Sequence, residues 1–108
     1  MIIYHITTAN EWKQANINGF YEAPSLLAEG FIHCSTDKQV DGVLGRYFKG
    51  KKDLLKLVID TDKLTSELKF ELAPSVNEAF PHIFGPLNLD AVMGVLPADN
   101  IAESTNES

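Results

Sequence analysis

Cysteine, arginine and long apolar runs are all scarce in this 108-residue chain. The single cysteine, Cys34, cannot close an internal disulfide, so this is not a disulfide-stapled scaffold. No apolar run approaches the roughly 20 residues of a membrane span. The opening MIIYHIT lacks the basic start and long apolar core of a signal peptide. A cytoplasmic location without a membrane partner is the expectation. Neither GxGxxG nor GxxxxGK[ST] occurs, so glycine-rich phosphate loops are missing. Close ligand pairs such as HExxH or CxxC are missing too, and no metal is favoured. Counting histidines still leaves a metal-dependent hydrolase using His5, His33 and His82 as a third option. Positive charge is thin: Arg46 is the sole arginine, and the formal net charge of -6 disfavours nucleic acid as a partner. The cations that exist are bunched, with Lys49, Lys51 and Lys52 close behind Arg46. That run is either a local anion site or a solvated basic turn.

What is present is enough apolar material for one core. A hydrophobic content of 44% over this length fits a single domain, placed here at residues 1–97. Residues 98–108, with Asp99, Glu103 and Glu107, read as a flexible polar tail.

Local signals order the elements. Ile2 to Thr7 reads as a strand. Thr8-Ala9-Asn10-Glu11 has capping-box form, opening a helix that turns Trp12 and Ala15 inward and stops near Gly19. Ser25 to Glu29 is a short helix closed by Gly30, and Phe31 to Ser35 a second strand. Val40, Val43, Leu44, Tyr47 and Phe48 then recur at the spacing of one buried helical face, ended by Gly50. Asp53 to Asp60 predicts a central strand covered on both sides. Thr61 to Glu67 is a turn with a short helical piece, and Lys69–Leu72 and Asp90–Leu96 are strands. FPHIFGPLN between them reads as an apolar loop, punctuated by Pro81, Gly85 and Pro86, with a brief strand at most over His82 to Phe84. Without a regular βαβ alternation, the class is α+β.

Two strands carry the same polar stripe. Side chains two apart share a strand face, which groups Ile3, His5 and Thr7, and separately Phe31, His33 and Ser35. Each stripe is His-x-hydroxyl, and Thr36 adds a further hydroxyl beside the second. If the strands lie close, the imidazoles converge on one cleft. Each histidine also has a plain structural reading as a satisfied core or turn residue. Alternation places Cys34 with Ile32 on the opposite, buried side, so a Cys34–His33 nucleophilic pair is disfavoured. His82 is held in the apolar loop between Phe80 and Phe84, where it caps a ligand, serves as acid or base, or bonds loop carbonyls. Asn88 binds ligand or satisfies the turn.

IYHIT, GFIHCST followed by Gln39, RYFKG, LLKLVID and FPHIFGPLN, taken in order, resemble the bacterial family known as domain of unknown function 952. More distantly, a strand with YHxT, a helix, a strand with HxS, a helix and an apolar strand ending in Asp resemble the RNA 2′-phosphotransferases. These belong to the ADP-ribosyltransferase superfamily. The resemblance implies a split β-sheet with short helices and a cleft for NAD or a related ADP-ribosyl nucleotide. Under it, His5 bonds ribose, Thr7 the nicotinamide amide, and Ser35 or His33 the second ribose or pyrophosphate. Tyr21 or Phe31 stacks on the base, and Arg46 is the one arginine available for phosphate. A late glutamate near the ribose is a feature of many such transferases; Glu71 is the best candidate here, with a solvent-facing residue as the plain alternative. The expected function is therefore binding of a small nucleotide, extended to ADP-ribosyl-transfer or glycosidic-bond chemistry. The alternative is a non-catalytic ligand-sensing or partner-binding domain on the same fold.

Overall fold

The computed structural model describes residues 1–98; residues 99–108, most of the expected tail, lie outside it. β1 (Ile2–Thr8), β4 (Leu54–Asp60) and β8 (Val92–Pro97) form an antiparallel sheet in the order β1-β4-β8. β3 (Ile32–His33), β6 (Glu78–Phe84) and β5 (Glu67–Ala73) form a second, in the order β3-β6-β5. β2 (Phe20–Tyr21) and β7 (Leu87–Asn88) make a two-stranded ribbon. Among the described residues, three α-helices complete the α+β architecture: α1 (Ala9–Asn18), α2 (Pro24–Glu29) and α3 (Val40–Tyr47). None of the described helices is long and apolar enough to cross a membrane.

α1 forms where its cap predicts. The Glu11 N–H donates to Thr8 Oγ1 at 3.1 Å, and the Thr8 N–H donates back to Glu11 Oε1 at 3.4 Å. Gly19 ends it with φ of 89°, a left-handed conformation that glycine adopts without a Cβ penalty. Ala15 is buried and Trp12 packs against the core.

Pro81 decides how the two larger sheets meet. Ile32 pairs with Ile83 and His33 with His82. One residue further on, the Cys34 N–H donates to the Pro81 carbonyl at 2.9 Å, but proline has no N–H to return. The ladder ends there, so the second strand is two residues long rather than Phe31 to Ser35. Ser35 is free to change sheets, and it exchanges both backbone bonds with Tyr4 at 2.7 and 2.8 Å. That single bridge makes β1 and the end of the Ile32–Ser35 segment neighbours.

The same proline explains why FPHIFGPLN is not a loop. A residue in an antiparallel ladder aims its N–H and C=O to one side. Pro81 aims its carbonyl at Cys34, so its missing donor falls on the β3 side and costs the β5–β6 ladder nothing. β6 therefore runs the full seven residues, paired throughout with β5. β5 itself extends past Lys69–Leu72 at both ends. β8 starts at Val92, because Leu89–Ala91 is a 3₁₀ turn.

β4 is central and sealed on one face, while on the other only Leu54 is buried, under α3. Leu57 and Ile59 are fully buried, whereas Lys56 and Val58 on the other side are half-buried. The sealed face belongs to the main core with Ile3, Tyr21, Ile32, Cys34, Ile83 and Leu87. A smaller cluster of Ile6, Val40, Leu54 and Ala98 lies under α3. Ala98 thus belongs to the folded unit, with its N–H bonded to the Leu54 carbonyl at 2.9 Å.

Candidate functional site

α3, β1, the Ile32–Ser35 segment and the β5–β6 hairpin enclose a pocket of about 400 Å³. His5, His33, Ser35 and His82 supply its polar lining. Val43, Tyr47 and Phe48 face it from α3, and Leu72, Ala73 and Phe80 from the hairpin. The α3 face expected to be buried is in fact mostly pocket wall. Only Val40 of that helix is buried, and Tyr47 is exposed.

Register brings two of the imidazoles together. His33 and His82 are cross-strand partners, so their side chains emerge on one face, with ring centroids 5.1 Å apart and nearly perpendicular. Phe31 stacks on His82 at 4.1 Å with 16° between planes, and meets the edge of His33 at 4.9 Å. Each imidazole donates one N–H to a carboxylate. His33 Nε2 bonds Glu29 Oε2 at 2.9 Å, and His82 Nδ1 bonds Glu71 Oε1 at 2.8 Å. Those bonds leave Nδ1 of His33 and Nε2 of His82 as the ring nitrogens not engaged by a carboxylate. Neither of these nitrogens has a partner among the described residues. The Ser35 hydroxyl is likewise unpartnered, its backbone alone being engaged.

His5 is arranged differently. It is buried, and both its nitrogens are committed: Nδ1–H to the His33 carbonyl at 2.5 Å, and Nε2 to the Tyr21 hydroxyl at 2.7 Å. Tyr21 Oη is also 3.0 Å from Thr7 Oγ1, which lies 3.1 Å from Glu11 Oε1. One phenol proton cannot serve two acceptors. With His5 neutral, that proton is contested between Nε2 and Thr7 Oγ1, toward which the Tyr21 hydroxyl donates, and Thr7 gives its own proton to Glu11. Protonating His5 reverses the first bond and frees the phenol proton for Thr7. Burial holds the His5 pKa down to about 4, against the opposing pull of the His33 carbonyl and the Glu11 charge, so the neutral arrangement prevails at neutral pH. Burial also pushes the Tyr21 hydroxyl upward, away from ionisation.

The geometry places each of the expected site residues. His5 lines the pocket with its ring, but offers no nitrogen to ribose. Thr7 and Tyr21 are sealed in the bonded chain, and Tyr21 packs against Trp12 rather than a base. Phe31 stacks on His82 instead. Thr36 caps the approach to α3, its carbonyl accepting from the Gln39 and Val40 N–H groups. Asn88 pins a turn, accepting from the Thr65 N–H and donating to the Lys63 carbonyl. Arg46 is exposed at the end of α3 and does not line the pocket. His82 sits on a strand, not in a loop. Cys34 faces the core with Ile32, and burial pushes its thiol well above the usual range, which makes it an inert side chain. Among the described residues, no group of three or more His, Cys, Asp or Glu is placed to hold a metal ion.

Glu29 and Glu71 are the carboxylates that the site's histidines engage, and sequence reasoning missed the first. Glu71 is solvent-facing, as its plain reading expects, and also bonds His82. Its signal was the alternation of KFEL, which becomes readable only once β6 is recognised as the facing strand.

Comparison with known proteins agrees with this architecture. The crystal structure of protein CC0527 from Caulobacter crescentus is 31% identical, with a TM-score of 0.83 over 92% of this chain and 87% of that one. The solution NMR structure of CC0527 gives a TM-score of 0.78 at 31% identity, covering 91% and 84%. The curated proteins offer no match. A family model described as protein of unknown function (DUF952) matches residues 6–95, and the chain belongs to that family.

Proposed function

We propose that the pocket binds the nucleoside portion of NAD or of a related ADP-ribosyl nucleotide. The observation that carries this reading is the convergence of three histidines and Ser35 on one pocket of about 400 Å³ with otherwise apolar walls. Small-molecule sites commonly span about 300–1,000 Å³ and combine apolar walls with a few convergent polar groups. Tyr47, Phe48 and Phe80 offer flat surfaces to a heteroaromatic ring. His33 Nδ1, His82 Nε2 and Ser35 Oγ are available to ribose hydroxyls or a ring edge. The volume suits one nucleoside better than a whole dinucleotide, which leaves the remainder of the ligand outside. The resemblance to the ADP-ribosyltransferase superfamily points to the same ligand class. On this reading His33 and His82, each oriented by its carboxylate, are the acid–base groups for any glycosidic-bond chemistry.

A second reading, ligand sensing without turnover, is favoured by one observation. No carboxylate lines the pocket among the described residues, because Glu29 and Glu71 are each turned to a histidine. Release of nicotinamide on incubation with NAD separates the two readings.

Calorimetric titration with adenosine, ADP-ribose and NAD tests the binding itself. We expect saturable one-to-one binding, weakened about tenfold or more by His33→Ala or His82→Ala, with cooperative unfolding retained in both variants. Absence of binding by all three compounds, or equal affinity in the folded variants, contradicts the reading.

A further inference from the structure

Arg46, Lys49, Lys51 and Lys52 fall within one short stretch of a chain that carries a net charge of -6. All four are exposed, and none is paired with a carboxylate within 4.0 Å among the described residues. Two of them lie over aromatic rings. The Arg46 guanidinium lies 5.7 Å from the Tyr47 ring centroid, and the Lys51 ammonium 5.6 Å from that of Phe48. Both rings are walls of the pocket. The chain turns back after α3 to make this arrangement: the Lys51 N–H donates to the Phe48 carbonyl at 3.0 Å, and Gly50 takes a left-handed φ of 78°.

We infer that this rim is an anion subsite, which takes the phosphate of a ligand whose ring occupies the pocket. The inference rests on the nucleoside reading and adds the place where the ligand's charge is held. Among the described residues the pocket walls carry no lysine or arginine, so a phosphorylated ligand finds its counter-charge at this rim. Arginine offers a planar fork of donors suited to phosphate oxygens, and lysine a mobile point charge. The carbonyl end of α3 also attracts a cation, but Arg46 in the last turn meets that need alone. The three lysines beyond it have no such helical role.

The test compares adenosine with ADP-ribose by calorimetry at two salt concentrations, and follows backbone amides by NMR during titration with pyrophosphate alone. ADP-ribose is expected to bind about tenfold or more tightly than adenosine, with an advantage that shrinks as salt rises. The double substitution Arg46→Gln and Lys51→Gln should bring ADP-ribose down to the affinity of adenosine. Pyrophosphate alone should shift the amides of residues 46–52. Equal affinities for adenosine and ADP-ribose, or an advantage that survives the double substitution, overturns the inference. Pyrophosphate shifts without adenosine binding would retain the anion subsite and remove the nucleoside reading instead.

Discussion

Acidification from neutral pH to about 4 should cost the fold about 3 kcal/mol through His5 alone. The sign follows from which state binds the proton. The unfolded histidine protonates near 6.5, whereas the folded one resists until about 4 because burial disfavours its charge. Between those values the unfolded state holds more protons, so stability falls as pH falls. Above 6.5 both states are neutral and the group contributes no slope; below about 4 the loss is complete. The groups facing the ring are Tyr21 from β2, Glu11 through Thr7, the His33 carbonyl and the His33 imidazole, whose charge lowers His5 further. Against a total of roughly 5–15 kcal/mol, the loss is large. Urea denaturation at a series of pH values, for the natural chain and His5→Gln, measures it. The difference between the two stabilities should shift by about 3 kcal/mol across the window. Parallel curves would mean that His5 is not the buried neutral group described here.

Ile83→Ala should destabilise the protein by about 2–5 kcal/mol, while His82→Ala beside it costs about 1–2 kcal/mol at most. The two residues are adjacent on β6 and point to opposite faces. Ile83 is fully buried and sits opposite Ile32 in the main core, so truncation leaves a cavity that its neighbours cannot wholly fill. His82 faces the pocket, and its loss removes one bond to the half-exposed Glu71 and one stack with Phe31. Chemical denaturation of both variants reads the contrast directly. Similar losses would show that position 82 is a core position and would remove the pocket face from the account.

The elements that were legible in the sequence are those fixed by local chemistry. The Thr8–Glu11 box, the stop at Gly19 and the alternation that buries Cys34 need only neighbouring residues, and each is found as expected. The α3 spacing was legible as a face but not as a pocket wall, because periodicity records which side is apolar and not what lies opposite. β6 was illegible for a specific reason. Pro81 and Gly85 punctuate sequences as turns, and the harm a proline does to a strand depends on which side its missing donor falls. That side is set by where β3 ends. Tyr21 was misplaced because its partners His5 and Thr7 sit on another strand, and a phenol's role depends on them. Glu29 and Glu71 were hidden similarly, one behind a helix-to-strand turn and the other behind the register of a hairpin.

The account's central claim is that His33 and His82 present unpartnered imidazole nitrogens to a pocket that holds a nucleoside. Long-range nitrogen–proton NMR of the histidine side chains, recorded with and without saturating adenosine, tests it most directly. The prediction is a joint shift of His33 Nδ1 and His82 Nε2, while both nitrogens of His5 stay where the Tyr21 hydroxyl and the His33 carbonyl hold them. Unchanged signals at positions 33 and 82 under saturating adenosine, or a response confined to His5, would contradict it.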